Sequence, residues 1–522
     1  MGRPPPKPMT FPTPTWLRRT GLAALVAAPA LLLGACDGLD VDPFSQVEVQ
    51  NFYRTPSEVT AAVAPVYGAM RAPLFNYYNL NQVSTDENIV PTRGSDWGDG
   101  GRWLAIHRHA WDANLSDANG AWGDAFNGIS RANKVLLDIQ DLDIEGKDEL
   151  TAELRAMRAY FYYQILDLFG RAPIIGDDEL TVDPDNPPAA QSRAEVFAFI
   201  ESELRAARPL LPQTQQAAGG RVSQDAVDAM LANLYINCEV FRGTLTASGL
   251  QRGEACWEQA RSTAEGLINS GRYSLSDSYT DIFSVDNESN PEHIFRIEHL
   301  AANGLGLTIP MRMTHYNQFS PSPWNGFATL AETYNRYDED DPRREIYLTG
   351  QATNFETGEP VDDRNGNPLI FTEDFPGGVE NTTEGGGYRL LKYAVDVNHV
   401  GGNHGNDFSV FRLGEMYLIA AEAAFRLGDS GAALSYINDL RDRAGADDLD
   451  SVDEQAILDE RLYELAGEAK RRQDLVRFEI GGVNQFLRAY FEKDQSEPYR
   501  VVYPIPQAQI DANPNLTQNP GY

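Results

Sequence analysis

The chain has 522 residues, of which 43 are basic and 76 acidic, and its formal net charge is −33 at pH 7. So acidic a surface repels phosphate backbones and anionic headgroups, which argues against nucleic acid as a partner and against charge-driven contact with lipid. A hydrophobic content of 42%, with 23 Tyr, 23 Phe and 7 Trp, argues against a disordered chain.

The N-terminal segment has the layout of a secretory signal. Arg18 and Arg19 precede an apolar stretch, 22–33, that is shorter than the roughly 20 residues needed to span a bilayer. Small residues and Cys36 follow, in an arrangement that resembles the lipobox of bacterial lipoproteins. We therefore expect a signal peptide over 1–35 and a lipid on the Cys36 thiol, which would anchor the protein without spanning the membrane. A cleaved soluble export signal with a chance cysteine is the alternative.

Apolar residues recur at intervals of three and four along much of the chain, which predicts helices. The clearest is Glu149–Phe169, where Gly170 ends the pattern and Pro173 prevents its restart. The other predicted helices are Val59–Arg71, Gly120–Leu137, Ala194–Leu211, Gln224–Phe241, Ala255–Ile268, Ser409–Leu427, Gly431–Ala444 and Val452–Ala469, the last with Lys470-Arg471-Arg472 as its final turn.

Pairs of alanine-rich helices of this length are typical of tetratricopeptide-like repeats. Leu413-Gly414-x-x-Tyr417 matches part of the first-helix pattern, and Ala433-x-x-x-Ile437 resembles the second. The predicted fold class is therefore mainly α, a tetratricopeptide-like helix-pair scaffold with long loops and a few short β-strands. A plain helical bundle is the alternative.

The helical period is lost between about 275 and 400, where Gly, Pro, Asn and Asp interrupt the chain. The segment 76–111 is similarly loop-like, and short strands are predicted around Glu292–Glu298 and Tyr388–Val395. Long loops in a compact protein are usually functional or disordered, and the aromatic residues here favour function.

Two of these loops have the composition of a sugar-binding surface. The segment 93–103 combines two tryptophans with four glycines and charged residues, and a second candidate joins Tyr316 to the segment 323–326. Tryptophan offers a flat apolar face to a sugar ring, and Asp and Arg bind its hydroxyls. The candidate glycan-binding residues are Trp97, Trp324, Trp103, Tyr316, Asp96, Arg93, Asp86 and Arg389. Asp86 and Arg389 are taken from loops beside the expected site. The alternative is that the tryptophans only fill cavities between loops and helices.

No catalytic motif stands out in the sequence. A nucleophile elbow, a zinc-protease motif and a phosphate-binding loop are all absent. The histidines without metal-ligand spacing are interpreted as loop or sheet residues: His107, His109, His399 and His404. The segment 363–367 hints at calcium, but Gly366 is misplaced for an EF-hand, so we expect a turn. We expect no cofactor and no metal. A glycosidase carboxylate pair is defined by distance in space, so a tethered glycoside hydrolase stays an alternative.

Besides Cys36, the chain has two cysteines, Cys238 and Cys256. An exported chain meets oxidising conditions, which permit a disulfide. Because the two cysteines lie near the end of one predicted helix and the start of the next, we expect them to pair if their Cα atoms come within about 7 Å.

A series of short motifs follows Cys36 in order to the end of the chain. Its members include Phe52-Tyr53-Arg54-Thr55, Thr85-Asp86-Glu87, Trp122–Asn133, Glu153–Tyr162, Leu168-Phe169-Gly170, Tyr337–Arg343, Phe411–Ala423, Glu460–Glu464, Tyr503-Pro504-Ile505-Pro506 and Asn513–Tyr522. The whole series resembles the RagB/SusD family of outer-membrane lipoproteins.

The resemblance implies a non-enzymatic, glycan-binding lipoprotein. In this family four tetratricopeptide-like helix pairs form a scaffold, and the loops above it make one shallow sugar site. Family members are lids on a SusC-like TonB-dependent transporter, and the resemblance implies that this protein delivers oligosaccharides or pieces of polysaccharide to such a partner. Trp97 and Trp324 fall where the family places its binding aromatics.

On this basis we expect a single domain over 36–522. Its scaffold would lie mainly at 50–270 and 409–470, and its ligand region at about 76–111 and 275–400. The expected location is the outer membrane, lipid-anchored and facing the cell exterior. A helical-repeat assembly scaffold is the remaining alternative. The sequence leaves open the glycan, its linkage, and whether the ligand is a peptide instead.

Overall fold

Helices form most of the framework in the computed structural model, which describes residues 53, 55–177, 180–480 and 485–522. These residues belong to one compact unit, Phe52–Tyr522. The helices are α1 (Pro56–Ala69), α2 (Asn76–Val83), α3 (Arg102–His107), α4 (Ser116–Ile139), α5 (Lys147–Leu168), α6 (Arg193–Ala207), α7 (Gln224–Ile236), α8 (Cys238–Phe241), α9 (Trp257–Ile268), α10 (Ile309–Met313), α11 (Ala331–Tyr334), α12 (Leu413–Arg426), α13 (Ser430–Ala444), α14 (Glu454–Leu465), α15 (Arg471–Ile480) and α16 (Gln507–Ala512).

The strands are short and join distant parts of the chain in antiparallel pairs. They are β1 (Asn88–Ile89), β2 (Thr244–Thr246), β3 (Gly249–Gln251), β4 (His293–Ile297), β5 (Ala328–Thr329), β6 (Tyr347–Leu348), β7 (Gly350–Gln351), β8 (Ile370–Phe371), β9 (Arg389–Leu390) and β10 (Phe408–Arg412). β1 pairs with β5, β2 with β3, β4 with β10, β6 with β9 and β7 with β8. The β1–β5 pair brings the segment that precedes Trp97 beside the segment that follows Trp324.

Local sequence explains where several helices begin. Thr55 accepts a hydrogen bond from the backbone of Glu58, whose side chain returns to the Thr55 backbone, so a capping box opens α1. Ser192 and Glu195 form the same box at α6. Each box satisfies backbone donors that the first turn of a helix leaves free.

Neighbouring helices pack against one another, and their apolar faces form one large core. α4 packs on α5, α5 on α6, α7 on α9, and α12 on both α9 and α13. Gly128 of α4 allows a close approach to α5, because a Cβ there would lie 2.4 Å from the Phe161 ring. The prediction of a mainly α fold with a few short strands is confirmed.

Several predicted helix boundaries were wrong by three residues or more; α4, for example, begins at Ser116 and not at Gly120. Two of these errors have a cause that the structure shows. The helix predicted from Ser409 begins only at Leu413, because the preceding residues form β10 and pair with β4. The helix predicted to run through Ala469 ends at Leu465, where the chain turns through left-handed conformations at Gly467 and Ala469. The basic run that starts at Lys470 therefore leads into α15, which the sequence did not predict.

The segment 76–111, predicted to be loop-like, contains α2 and α3. The strand predicted at Tyr388–Val395 is reduced to the two residues of β9. No helix in the described ranges is both long enough and apolar enough to cross a membrane. Cys36 and the expected signal 1–35 lie outside the described residues.

Cys238 and Cys256 form a disulfide with a Cα–Cα distance of 5.7 Å. It ties the start of α8 to the residue that precedes α9, so the pairing that the sequence suggested is confirmed.

Charged residues of the sequence motifs form ion pairs inside the core. Arg412 contacts Glu464 at 2.6 Å and Glu468 at 2.8 Å, which links β10 to α14 and the turn after it.

Candidate functional site

An open cleft lies where the loop 93–103 meets the segment 323–327. Its volume is about 550 Å³. The residues that line it are Phe75, Asn79, Ser95, Asp96, Trp97, Asp99, Arg102, Trp103, Arg312, Tyr316, Pro323, Trp324 and Phe327, and we call it the aromatic cleft. The structure thus brings together five of the eight predicted site residues: Asp96, Trp97, Trp103, Tyr316 and Trp324.

Trp97 is held in place by the segment that carries Trp324. Its indole nitrogen donates a hydrogen bond of 2.6 Å to the Trp324 carbonyl oxygen. Gly326 leaves room for the indole, since a Cβ at that position would lie 2.4 Å from the Trp97 ring. Trp97 has a φ of 61°, a strained backbone conformation for a bulky residue. The contacts around it therefore fix its position, which suits a binding surface formed in advance.

Trp103 supports Trp97 from inside the protein. Its ring centroid is 5.4 Å from that of Trp97, and its indole nitrogen donates to Asp99 at 2.7 Å. Trp103 is only 1% exposed, so it borders the cleft without offering a free face. Its predicted role as a stacking residue is therefore corrected to one of support.

Polar groups of the cleft centre on Asp96. The Tyr316 hydroxyl donates to its carboxylate at 2.8 Å, and Arg364 donates to the same oxygen at 2.7 Å. These two bonds hold the pKa of Asp96 below its usual value, and the bond from Tyr316 has the larger effect. Arg364 also lies 4.0 Å above the Tyr316 ring. Asp96 is consequently an ionised acceptor whose neighbours are fixed.

Arg93 and Arg389 lie beneath the cleft and not at its surface. Arg93 donates to the carbonyl oxygens of Asn325 at 2.9 Å and Gly326 at 2.7 Å. Arg389 donates to the Asn325 side chain at 3.0 Å and to the Glu384 carbonyl at 2.8 Å. Burial lowers the pKa of Arg93 to about 10. The expectation that either guanidinium contacts a sugar is corrected, because both are buried and hold the segment that follows Trp324.

Asp86 is also removed from the candidate surface. It is 0% exposed and forms two hydrogen bonds of 2.8 Å with Arg471 at the start of α15. Despite burial, the Arg471 charge holds the pKa of Asp86 well below its usual range. Its part is to join the segment after α2 to α15, so it does not contact a ligand in the cleft.

Eight lining residues of the cleft were not among the predicted site residues, and three of them are Phe75, Arg102 and Arg312. Phe75 is 43% exposed, Arg102 stacks 4.3 Å from the Trp103 ring centroid, and Arg312 stacks 4.6 Å from that of Phe75. Arg102 lies within the loop 93–103, so composition could have included it. No sequence pattern marked Phe75 and Arg312 as site residues, because they reach the cleft only through tertiary packing.

The four histidines and the segment 363–367 form hydrogen bonds within the protein. No group of three potential ligands occurs among the residues that the structure describes. His107 ends α3, so its assignment to a loop or sheet was wrong, and burial lowers its pKa to about 4. Asp363 accepts hydrogen bonds from the backbone of Asn365 at 2.8 Å and Asn367 at 2.9 Å, which confirms the predicted turn.

The fold and cleft define a helical protein with an open aromatic surface site. Residues 252–522 match the model of the SusD family, and residues 39–236 match a related model described as "Starch-binding associating with outer membrane". The chain belongs to the SusD family.

Several named relatives align with most of the chain. The starch-binding protein SusD of Bacteroides thetaiotaomicron is 27% identical, over 71% of this chain and 72% of its own. SusD-like protein P25 of Formosa agariphila is 25% identical, over 92% and 94%. The solved structure of a laminarin-binding SusD-like protein superposes with a TM-score of 0.71 and 25% identity, covering 90% of this chain and all of that one.

Proposed function

We propose that this protein binds oligosaccharides in the aromatic cleft at the cell surface and hands them to a transporter. The observation that carries the proposal is the presence of two half-buried tryptophans, Trp97 and Trp324, in the lining of one open cleft. Aromatic faces bind the apolar faces of sugar rings. The fixed polar groups around Asp96 accept hydrogen bonds from sugar hydroxyls or donate hydrogen bonds to them.

The cleft is open and its contacts are few, which favours capture and release over tight binding. We expect dissociation constants between micromolar and millimolar, about −8 to −4 kcal/mol. The relatives described as starch-binding and laminarin-binding support a glycan as the ligand. They make glucans the first ligands to test.

The proposed action is binding without bond cleavage. Hydrolysis of a glycosidic bond needs a carboxyl group with a raised pKa as proton donor. Asp96 has a lowered pKa because Tyr316 and Arg364 bind its carboxylate, so it is unsuited to that role. This supports a binding protein over the tethered glycoside hydrolase.

Anchoring and transport complete the proposal. The lipobox-like sequence at Cys36 supports a signal peptide over 1–35 and a lipid anchor in the outer membrane, with the domain 36–522 facing the exterior. A tethered lid needs a channel, so we propose a SusC-like TonB-dependent transporter as the partner, contacted mainly through the helical scaffold. Tethering raises the local concentration of the lid at the channel, which allows it to open and close without dissociating.

Calorimetric titration with maltohexaose and laminarihexaose tests the binding site. We expect at least one hexasaccharide to bind, and Trp324→Ala to weaken that binding about tenfold or more because it removes one stacking face. Phe491→Ala is the matched control, since Phe491 is 44% exposed and lies outside the cleft. Equal losses in both variants, or none in Trp324→Ala, would count against this site.

Purification from detergent-solubilised outer membranes tests the partnership. We expect a large β-barrel in stoichiometric amount with the wild-type chain, and also with Trp324→Ala, because the scaffold carries the contact. Recovery of the chain alone would contradict the transport proposal while leaving glycan binding intact.

A further inference from the structure

A second hollow adjoins the aromatic cleft at Phe75. Its volume is about 290 Å³, and Phe75 and Arg312 line both it and the cleft. Phe75 is 43% exposed at this junction. Phe75 and Arg312 therefore form a wall that the two hollows share.

The lining of the second hollow is positively charged. It includes Arg71 and Arg312 and no acidic side chain. Arg71 donates to the carbonyl oxygen of Glu298 at 2.7 Å. Arg312 donates to the Asn79 side chain at 3.1 Å and to the Leu74 carbonyl at 2.9 Å. All these acceptors are uncharged groups.

Neither arginine forms an ion pair with any residue in the described part of the chain, and the Nε of each lacks a hydrogen-bond partner there. Several buried arginines of this chain have carboxylate partners, as Arg343 has in Asp341 at 2.8 Å and Arg477 has in Glu422 at 2.7 Å. Arg93 and Arg389 also bond only to uncharged acceptors, but they do not line the second hollow.

Burial makes this charge consequential. Arg312 is 2% exposed, and burial lowers its pKa to about 10, so it stays protonated at neutral pH. The charge of Asp117 acts on Arg312 without forming an ion pair with it. A buried cation without a directly bonded carboxylate is costly, and an anion that reaches it is stabilised. His299 also lines the hollow, but burial lowers its pKa to about 3, so the positive charge comes from the two arginines.

The wall of the hollow is held in shape by Asn403. Its side-chain oxygen accepts hydrogen bonds from the backbone nitrogens of Gly304 at 3.1 Å and Gly306 at 3.4 Å. A Cβ on Gly306 would lie 2.4 Å from Asn403, so the two segments pack closely. The hollow therefore exists before any ligand binds.

We propose that the second hollow receives an anionic substituent of the glycan, a carboxylate or a sulfate group, beside Arg71 and Arg312 while the adjoining sugar ring contacts Phe75. The inference rests on the proposed function and narrows its substrate class to acidic glycans. The carboxylate of a uronic acid and the sulfate ester of a sulfated sugar share the chemistry that a guanidinium recognises.

Matched hexasaccharides test the inference by calorimetry. The probes are maltohexaose and laminarihexaose, each in its neutral form, with its C6 hydroxyls oxidised to carboxylates, and with C6 sulfate esters. We expect one acidic form to bind about tenfold tighter than its neutral parent, with the advantage shrinking as salt screens the charges. The form with the larger gain identifies the carboxylate or the sulfate.

Two variants locate the effect. Arg71→Gln should remove most of the gain and leave the neutral parent unchanged, and Arg312→Lys, which keeps a charge but loses the planar fork, should reduce it. Arg131→Gln is the matched control, because Arg131 also donates to a backbone carbonyl, that of Pro65 at 3.0 Å, but lies away from the hollow. Thermal unfolding checks that each variant is folded.

The outcomes separate the two proposals. The acidic-glycan inference is overturned if oxidation or sulfation does not increase the affinity, which includes the case in which no acidic form binds. It is also overturned if the increase in affinity persists in Arg71→Gln. If a neutral hexasaccharide still binds in a manner that Trp324→Ala weakens, the proposed function stands without it. If no form binds, or Trp324→Ala changes nothing, the proposed site itself fails.

Discussion

The Trp97 indole nitrogen donates a hydrogen bond of 2.6 Å to the backbone carbonyl of Trp324, 227 residues further along the chain. This contact joins the loop 93–103 to the segment 323–327, and the two tryptophans line one cleft. The geometry of the cleft therefore depends on the Trp97 side chain bonding to the segment that carries Trp324.

Trp97→Ala should cost more affinity than any other single change in the cleft. It removes a stacking face and also the hydrogen bond to the Trp324 backbone, so we expect a loss of about 2 kcal/mol or more. Calorimetry with the hexasaccharide that the wild type binds provides the measurement. A smaller loss than in Trp324→Ala would show that Trp97 is not the main contact.

Gly326→Ala should weaken glycan binding without touching a ligand. The added Cβ would lie 2.4 Å from the Trp97 ring and must displace it. Gly266→Ala in α9 is the control, because a Cβ there meets nothing within 4 Å and alanine favours the helix. We expect reduced affinity in Gly326→Ala and a slightly raised unfolding temperature in Gly266→Ala. Unchanged affinity in both would mean that the position of Trp97 does not govern binding.

Asp86→Asn should lower stability and leave the affinity of the folded protein unchanged. The substitution leaves Arg471 buried without its carboxylate partner, which costs about 3–5 kcal/mol. Glu254→Gln serves as control, since Glu254 pairs with Arg242 while its side chain is 82% exposed, and such pairs contribute about 1 kcal/mol or less. Urea unfolding gives both values. A specific affinity loss in folded Asp86→Asn would return this residue to the binding site.

Glu87 should make the protein less stable as the pH rises from about 4.3 to 8. Burial, with the charge of Asp86 adding to it, raises the pKa of Glu87 to about 8, whereas an unfolded glutamate titrates near 4.3. In this window the folded state binds the extra proton, so its contribution to stability is full below the window and is lost as the pH rises through it. Glu87→Gln removes that titration, and urea unfolding at pH 5.5 and 7.5 should show a smaller fall than in the wild type. The same fall in both proteins would refute the assignment.

The disulfide should contribute about 3 kcal/mol to the free energy of unfolding, because it closes a loop between residues 18 apart in sequence. The double variant Cys238→Ala, Cys256→Ala should lose that amount in urea unfolding. Dithiothreitol should destabilise the wild type by a similar amount and leave the double variant unchanged. A wild type that is indifferent to reductant would argue against the bond in solution.

The sequence predicted what depends on local periodicity. Helices such as α5 were placed within about two residues, because their buried faces repeat every three to four positions. β10 was missed because its extended form depends on pairing with β4, far away in sequence. Asp86, Arg93 and Arg389 were taken for ligand contacts because their burial, unlike their charge, is set by tertiary packing. The composition of their segments identified Trp97 and Trp324, but it did not predict the contact between them.

A crystal structure with the bound hexasaccharide would show directly whether the aromatic cleft is the binding site. We expect a sugar ring stacked on Trp97 or Trp324, with hydroxyls near Asp96 and the glycan chain directed toward Phe75. A hexasaccharide bound instead in the polar hollow lined by Arg272, Tyr273 and His293, with the aromatic cleft empty, would contradict this expectation.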